Sequence, residues 1–417
     1  LFRVPLKEAE ELRFKAIKYA FKHHYENNKF YRTFCEEHNI EPTAIKSSSD
    51  LTKIPLIPHD FFKDYPATGK DFALWLANIY TGELPQITIK KKVPSFDDVL
   101  KAFESAGIIV TYSSGTSGKR SFVPKEQCTF DACEYAFAKS VFTMLYPLWD
   151  YDMHSHWPMN TRRSNSSMVR NGAVYLDSVK NVRVMRDMET SLGRMNLAVS
   201  GKGLKGSLIK FAVGRFNKQS EKDIIKWLEE RDKAKDKIVL FRIPYSLYSI
   251  TYKLEGMGKT FNFGENGGVC TAAGWKIHED KSMAFEDFRK KVEKTFGIPS
   301  KNCLDVYSMT ETNASMVSCP EGHYLHVPHS YLYPMVLNEE LEPLGYGEWG
   351  RFAFLDPLAR SYPGFIMSGD RARILEHCPV CDRPGPVLEP EVRRMPGQEL
   401  RGCAEEIRRI VIRDIGR

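Results

Sequence analysis

The sequence predicts an α/β protein with a mainly parallel sheet. Short runs of β-branched and aromatic residues alternate with longer stretches in which apolar residues recur at helical spacing, a pattern typical of strand–helix–strand units. The composition agrees with a large core, because 42% of the 417 residues are hydrophobic and 27% are charged. We expect one large domain or two to three smaller ones.

The first predicted element is a helix between Leu6 and Glu26, and the two prolines in 54–58 predict an extended segment. Strands are predicted at residues 108–112, 238–241, 269–272, 304–307, 352–355 and 365–367. Further helices are predicted at residues 132–145, 221–231 and 285–296.

The charge pattern excludes several classes of protein. The formal net charge is +7, but the basic residues are spread along the chain, which does not indicate nucleic-acid binding and is compatible with an anionic ligand. No apolar run reaches the ~18 residues of a membrane span, and residues 1–5 do not open a signal peptide. Nine cysteines without a dense cluster suggest reduced thiols and a cytoplasmic protein.

A segment rich in Ser, Thr and Gly follows the first predicted strand, from Tyr112 to Ser121. Its glycines allow backbone N–H groups to approach an anion closely, while hydroxyls and basic side chains add donors and charge. The glycine spacing does not fit a Walker phosphate loop, and a plain Ser/Gly hairpin loop is the alternative. The candidate phosphate-binding residues are Ser113, Ser114, Gly115, Thr116, Ser117, Gly118 and Lys119.

This segment resembles the phosphate loop of adenylate-forming enzymes, which activate carboxylates as acyl-AMP. Three further segments appear in that family's order: 271–276 resembles the adenine-side loop, 307–311 resembles the Tyr-Gly-x-Thr-Glu motif with Ser308 at the Gly position, and 368–370 resembles Thr-Gly-Asp. The resemblance implies a large N-terminal adenylate-forming domain. It also implies nucleotide contacts from Ala273, Gly274, Tyr307, Thr310 and Asp370.

The chemistry of adenylation requires residues of these types. Attack of a carboxylate on the α-phosphate needs a metal to neutralise charge, so we expect Glu311 to orient Mg²⁺ and the 113–121 loop to stabilise the departing pyrophosphate of ATP. Lys276 is a further candidate catalytic residue. The alternatives are a solvated surface carboxylate for Glu311 and a turn residue for Asp370.

The C-terminal part departs from the common pattern of adenylate-forming ligases, which carry a larger C-terminal domain with a catalytic lysine. No lysine follows Lys301, which argues against ordinary CoA ligation. We expect an N-terminal region 1–370, with a helical entry 1–65 and an α/β core 66–370, and a very short C-terminal stub, 371–417. The basic residues that could replace the missing lysine are Lys119, Lys125, Lys276, Arg371, Arg373, Arg393 and Arg394.

The stub contains Arg401-Gly402-Cys403. Together with the motifs above and the segment 54–63, this element resembles the LuxE family of acyl-protein synthetases, the long-chain-fatty-acid ligase components of bacterial luciferase aldehyde-producing complexes. The resemblance implies that Cys403 accepts the acyl group from acyl-AMP and passes it to an acyl reductase, a LuxC-like partner. Arg401 and the start of a predicted helix at 404 would favour the thiolate. A buried cysteine that packs a terminal helix is the alternative.

A second cysteine group suggests a metal. Cys378 and Cys381 form a C-x-x-C pair, and Cys319 with a nearby histidine would complete a closed tetrahedral zinc site of structural type. Of His323, His326 and His329 we select His326 as the fourth ligand. An unmetallated pair in a turn and a redox-active C-x-x-C are the alternatives.

The sequence therefore predicts an acid–thiol ligase that uses ATP and Mg²⁺ to activate a carboxylic acid, with a fatty acid favoured, and then transfers the acyl group to Cys403. A ligase that uses CoA directly and a non-catalytic nucleotide-binding scaffold are the alternatives. An oligomer is compatible with the sequence.

Overall fold

The computed structural model describes residues 1–113, 119–146, 148–157, 165–167, 170, 172, 174, 177–184, 192–193, 203–272, 274–275, 282–390 and 392–395. These residues divide into two compact units. The first unit comprises the described residues of 1–140, 308–317 and 324–395, and the second comprises those of 141–307 and 318–323. Among the helices of the described residues, none is long and apolar enough to cross a membrane.

The elements with defined bounds agree closely with the sequence pattern. The helices are α1 (Leu6–Asn27), α2 (Lys29–Glu37), α3 (Gly69–Ile79), α4 (Phe96–Ser105), α5 (Gln127–Leu145), α6 (Gly203–Ala234), α7 (Pro244–Gly256) and α8 (Phe285–Phe296). The strands are β1 (Ile57–Pro58), β2 (Ile108–Tyr112), β3 (Phe122–Glu126), β4 (His154–Trp157), β5 (Asn181–Val184), β6 (Ile238–Arg242), β7 (Gly267–Ala272), β8 (Cys303–Tyr307), β9 (Met316–Ser318), β10 (Leu325–His326), β11 (Tyr333–Leu337), β12 (Trp349–Leu355), β13 (Phe365–Leu375), β14 (Val387–Leu388) and β15 (Arg393–Arg394). All the predicted helices and strands are confirmed.

Local signals fix several helix ends. The side chain of Asn28 accepts a hydrogen bond from the Tyr31 N–H at the start of α2, and Thr68 does the same for Asp71 in α3. Ser95 and Asp98 form a capping box at the start of α4. Short polar side chains at these positions satisfy N–H groups that have no partner within the helix, and the helices therefore begin at these residues.

The second unit contains a parallel sheet in the order β5-β4-β6-β7-β8. Its inner strands are almost continuously buried, as a sheet covered on both faces requires. The apolar core of this unit includes Leu240, Val269 and Phe288, which come from β6, β7 and α8. The expectation of a mainly parallel sheet is therefore confirmed for this unit.

The first unit is built differently. Its larger sheet runs β11-β12-β13-β14-β10 with antiparallel pairing throughout, while β1 pairs with β13 in parallel and β15 pairs with β13 antiparallel. A separate antiparallel hairpin joins β2 and β3. The parallel expectation is wrong here, because the connections between β11, β12 and β13 are too short for crossover helices.

A buried histidine ties α1 to distant parts of the first unit. The His24 Nε2–H donates to the carbonyl oxygen of Ala359 at 2.8 Å, and Nδ1 accepts from the Thr81 hydroxyl at 2.9 Å. Both ring nitrogens are used by the neutral imidazole. Complete burial lowers the pKa of His24 to about 3.

This burial predicts acid sensitivity. Unfolded histidine binds a proton near pH 6.5 and folded His24 only near pH 3, so its stabilising contribution is full above pH 6.5 and is lost as the pH falls towards 3. At pH 5 the loss is about 2 kcal/mol. We expect His24→Gln to reduce the difference in melting temperature between pH 7.5 and pH 5.0, measured by differential scanning fluorimetry. The exposed His38, changed to Gln, is the control, and an unchanged difference in His24→Gln would contradict this prediction.

Candidate functional site

The predicted phosphate loop connects β2 and β3. The base of this connection is closed by two hydrogen bonds, from the Ser113 N–H to the Ser121 carbonyl at 3.0 Å and from the Ser121 N–H to the Ser113 Oγ at 2.9 Å. Ser113 is therefore held at the hairpin end. The other predicted loop residues, Ser114, Gly115, Thr116, Ser117 and Gly118, lie outside the described residues.

The two basic residues of this segment have different environments. Arg120 is buried, donates to the Ser113 carbonyl at 3.0 Å and lies over the Tyr112 ring, and its burial lowers the pKa of the guanidinium. Lys119 keeps 66% of its side chain exposed and approaches Asp64 only to 3.9 Å. Arg120 thus supports the base of the loop, and Lys119 is the exposed cation beside it.

Glu311 is buried, with only 3% of the residue exposed. The alternative of a solvated surface carboxylate is therefore wrong. Burial raises the pKa of Glu311, and a hydrogen bond from the Ser121 hydroxyl together with the charges of Lys63 and Arg394 acts in the opposite direction. A buried carboxylate beside a hydroxyl offers the hard oxygen donors that Mg²⁺ prefers. The structure thus places Glu311 at the end of the phosphate-loop hairpin.

Asp370 lies within β13 and not in a turn, so the turn interpretation is wrong. Its Oδ1 accepts a hydrogen bond from the Arg394 Nη1 at 2.9 Å, and Arg394 Nη2 donates to the His59 Nε2 at 3.0 Å. Asp370 and Arg394 are direct neighbours in the pairing of β13 with β15. The predicted ribose-binding carboxylate therefore belongs to a cluster of polar side chains, which also includes Asp60, whose Oδ1 lies 3.1 Å from the His59 Nε2.

His59 is held neutral in this cluster. Burial, followed by the charges of Lys63 and Arg394, lowers the pKa of His59 to about 3. The imidazole packs so closely on Gly369 that a Cβ at position 369 would lie 2.5 Å from the His59 Cε1. A glycine is therefore required beside Asp370, which explains the glycine of the Ser-Gly-Asp motif in terms of packing.

Sequence reasoning missed His59 and did not assign Arg394 to Asp370. The sequence carries one signal for each: a histidine that directly follows a proline-rich extended segment, and a pair of arginines in an otherwise irregular stretch. Neither signal predicts which residue is contacted, because His59 and Arg394 are 335 residues apart and meet only through strand pairing.

The predicted adenine-side residues belong to the second unit. Gly274 follows β7 with a φ of +58°, and Tyr307 ends the neighbouring strand β8. Ala272 pairs with Val306 in these two strands, so Gly274 and Tyr307 both lie at the carboxyl edge of the parallel sheet. This is the edge at which α/β proteins bind ligands. Ala273 and Lys276 lie outside the described residues, as does Cys403.

Three of the four predicted zinc ligands, His326, Cys378 and Cys381, belong to the first unit. The His326 Nε2 is 3.3 Å from the Cys381 Sγ. Cys319, the fourth predicted ligand, belongs to the second unit. By contrast, the His329 Nε2 donates to the Val4 carbonyl at 2.9 Å.

Pairing of short strands accounts for this arrangement. His326 in β10 is opposite Val387 in β14, and β14 pairs with the last residues of β13. Cys378 and Cys381 lie in the connection from β13 to β14. The C-x-x-C pair is therefore held beside His326 by the sheet itself.

Comparison with known proteins gives the family. A family model described as "Acyl-protein synthetase, LuxE" matches residues 2–74 and 178–411, which include Glu311, Asp370 and Cys403 but not the 112–121 segment. The "Long-chain-fatty-acid--luciferin-component ligase" of Vibrio harveyi is 26% identical over 410 residues, which cover 96% of this chain and 88% of that protein. The protein of the same name from Aliivibrio fischeri is 22% identical over 413 residues, which cover 98% and 91% of the two chains.

Solved structures show the same fold. The structure of 2-hydroxyisobutyryl-CoA ligase in an open conformation, in complex with 2-HIB-AMP and CoA, has a TM-score of 0.61 at 14% identity and covers 96% of this chain and 73% of that one. The same ligase in the postadenylation state, in complex with R3-HIB-AMP, has a TM-score of 0.62. The predicted adenylate-forming fold is confirmed. Because the family model matches most of its residues, this chain belongs to the LuxE family of acyl-protein synthetases, which are ligases.

Proposed function

We propose that this protein uses ATP to convert a fatty acid to acyl-AMP and then transfers the acyl group to its own Cys403. The observation that carries the proposal is the buried Glu311 carboxylate, hydrogen-bonded to Ser121 at the end of the phosphate-loop hairpin, in a chain of the LuxE family. The names of its relatives from Vibrio harveyi and Aliivibrio fischeri support a long-chain fatty acid as substrate.

In the first half-reaction a carboxylate oxygen of the acid attacks the α-phosphorus of ATP, the bond to the β-phosphate oxygen breaks, and pyrophosphate leaves. The N–H groups and hydroxyls of the 113–121 segment, with Lys119 and Thr310, hold the departing phosphates. Glu311 supplies an oxygen ligand for Mg²⁺, and that cation neutralises phosphate charge when bound. Asp370, held by Arg394, accepts hydrogen bonds from the ribose hydroxyls. Gly274 and Tyr307 contact the adenine, and Lys276 adds positive charge.

In the second half-reaction the Cys403 thiolate attacks the acyl carbon of acyl-AMP, the bond to the phosphate oxygen breaks, and AMP leaves. The resulting thioester is then the substrate of an acyl reductase of the LuxC type, which acts as the partner protein. A cytoplasmic location agrees with a reactive free thiol. A CoA-dependent ligase is the competing activity, since the similar solved structures are CoA ligases.

We further propose a structural zinc ion at Cys319, His326, Cys378 and Cys381. Three thiolates and one imidazole would complete a closed shell around the ion, and the metal would then take no part in the reaction. It would tie the connection that follows β13 to β10 and so brace the strand that carries Asp370.

The first prediction from this proposal concerns Glu311. Glu311→Gln should lower acid-dependent ATP–pyrophosphate exchange at least about 100-fold, because it removes the charge that holds Mg²⁺. The melting temperature should be unchanged or higher, since burial raises the pKa of Glu311 and the neutral amide avoids that cost. Glu126→Gln, which alters a partly exposed carboxylate in the same unit, is the control. A near-normal rate of exchange in Glu311→Gln would show that Glu311 does not bind Mg²⁺ in the reaction.

The second prediction separates the half-reactions. Cys403→Ser should still release pyrophosphate in a first turnover, because adenylation does not need the thiol. It should retain no hydroxylamine-labile acyl group, measured by intact mass after incubation with ATP, Mg²⁺ and a panel of fatty acids. Cys128→Ser, at an exposed free cysteine, should acylate normally. A labile thioester on Cys403→Ser, or brisk turnover with CoA alone, would favour the CoA ligase.

The third prediction concerns zinc. Protein purified without added zinc should contain about one Zn²⁺ per chain, and Cys381→Ser should lose the metal and melt at a lower temperature, because a closed site contributes to folding. Elemental analysis and thermal unfolding are the measurements, with Cys128→Ser again as the control. Metal-free protein with normal stability would leave the four side chains without this role.

A further inference from the structure

Residues 310–314, which we name the Glu311 loop, belong to no helix or strand. All five are buried. The backbone hydrogen bond from the Thr312 N–H to the Met309 carbonyl, just before this loop, is long at 3.4 Å. The conformation of this loop must therefore be fixed largely by side chains.

A chain of hydrogen bonds links a buried lysine to the backbone of Glu311. The Lys125 Nζ donates to the Asn313 Oδ1 at 2.9 Å, the Asn313 Nδ2 donates to the Tyr362 Oη at 3.2 Å, and the Tyr362 O–H donates to the Glu311 carbonyl at 3.1 Å. We name this chain the Lys125 relay. Lys125 is 1% exposed and Tyr362 is completely buried.

A buried carboxylate holds the same loop from another direction. Asp356 accepts hydrogen bonds from the Asn313 N–H at 2.5 Å and from the Thr312 hydroxyl at 3.0 Å through the same oxygen, Oδ2. Its Oδ1 accepts from the Leu358 N–H at 3.0 Å. Asn313 therefore lies between a buried ammonium and a buried carboxylate. The ammonium of Lys125 holds its side chain and the carboxylate of Asp356 holds its backbone N–H.

Burying these charged groups lowers the free energy of unfolding of the protein. Burial of an ammonium and a carboxylate costs several kcal/mol, and apolar residues of similar volume often stabilise a core more. A fully bonded polar cluster instead specifies one geometry, because each member has its directions set by its neighbours. The geometry specified here is that of the loop that carries Glu311.

We propose that the Lys125 relay is a positioning device for Mg²⁺ and ATP binding, in which Lys125, Asn313 and Tyr362 hold the Glu311 loop in the conformation that binds the metal. None of these three side chains touches the substrate in this proposal. The inference rests on the proposed role of Glu311, and it deepens that role by naming the residues that set its affinity for the metal.

Tyr362→Phe is the sharpest test, because it removes one hydroxyl and leaves the buried ring in place. The matched control is Tyr31→Phe, since Tyr31 is also completely buried and donates to a backbone carbonyl, that of Pro55, at 2.9 Å. The measurement is calorimetric titration with α,β-methylene ATP at several MgCl₂ concentrations, which needs no turnover. We expect Tyr362→Phe to weaken Mg²⁺-dependent binding about 10-fold and Tyr31→Phe to leave it unchanged.

A second readout separates positioning from loss of structure. In the pyrophosphate exchange assay, Tyr362→Phe should raise the Mg²⁺ concentration needed for half-maximal rate but leave the KM for the fatty acid unchanged. Lys125→Met should act in the same way, and the double variant Lys125→Met/Tyr362→Phe should be no worse than Lys125→Met alone, because both changes break one relay.

Equal Mg²⁺ dependence in Tyr362→Phe and Tyr31→Phe would overturn the relay while leaving the proposed function intact. Additive effects in the double variant would also overturn it. If Lys125→Met fails to fold, the comparison of the two tyrosine variants still decides. A wild-type protein that binds the nucleotide without any effect of MgCl₂ would instead remove the role of Glu311, and the relay with it.

Discussion

The strand β13 is the constraint on which the first unit depends. It pairs with β1, β12, β14 and β15, and three of these pairings, those with β1, β14 and β15, each place a different part of the candidate site. Pairing with β1 sets His59 against Gly369, pairing with β15 sets Arg394 beside Asp370, and pairing with β14 brings the C-x-x-C turn to His326. Hydrogen bonds of the backbone thus assemble side chains from four separate regions of the sequence.

Several buried charged groups lie where chemistry is proposed. Glu311, Asp356 and Lys125 are almost completely enclosed in the first unit, and burial raises the pKa of both carboxyl groups. At each of these positions an apolar side chain of similar volume could have stabilised the fold more. Proteins accept such costs at functional sites, where a defined electrostatic environment matters more than stability.

Much of the local structure could be predicted from the sequence. The bounds of β2 and α8 follow from their apolar patterns. The motifs select Glu311 and Asp370 as candidate site residues. The partners of these residues could not be predicted, because periodicity reports which face is buried but not which distant segment covers it. Lys125 meets Asn313 across 188 residues and Thr312 meets Asp356 across 44. The direction of the strands in the first unit was wrongly predicted for the same reason, since a run of β-branched residues does not specify its neighbour.

The division of the chain also bears on how the protein folds during synthesis. The first unit is discontinuous: residues 1–140 must wait for residues 324–395, and β1 finds its partner strand roughly 300 residues later. At about 5–20 residues per second, a ribosome needs on the order of 15–60 s to produce that partner. The second unit is completed before β13 is made, whereas the apolar faces of α1 and α2 have no partner strand until β13 has been synthesised. The emerging N-terminal segment therefore keeps apolar surface exposed during synthesis, which is the kind of surface that chaperones bind.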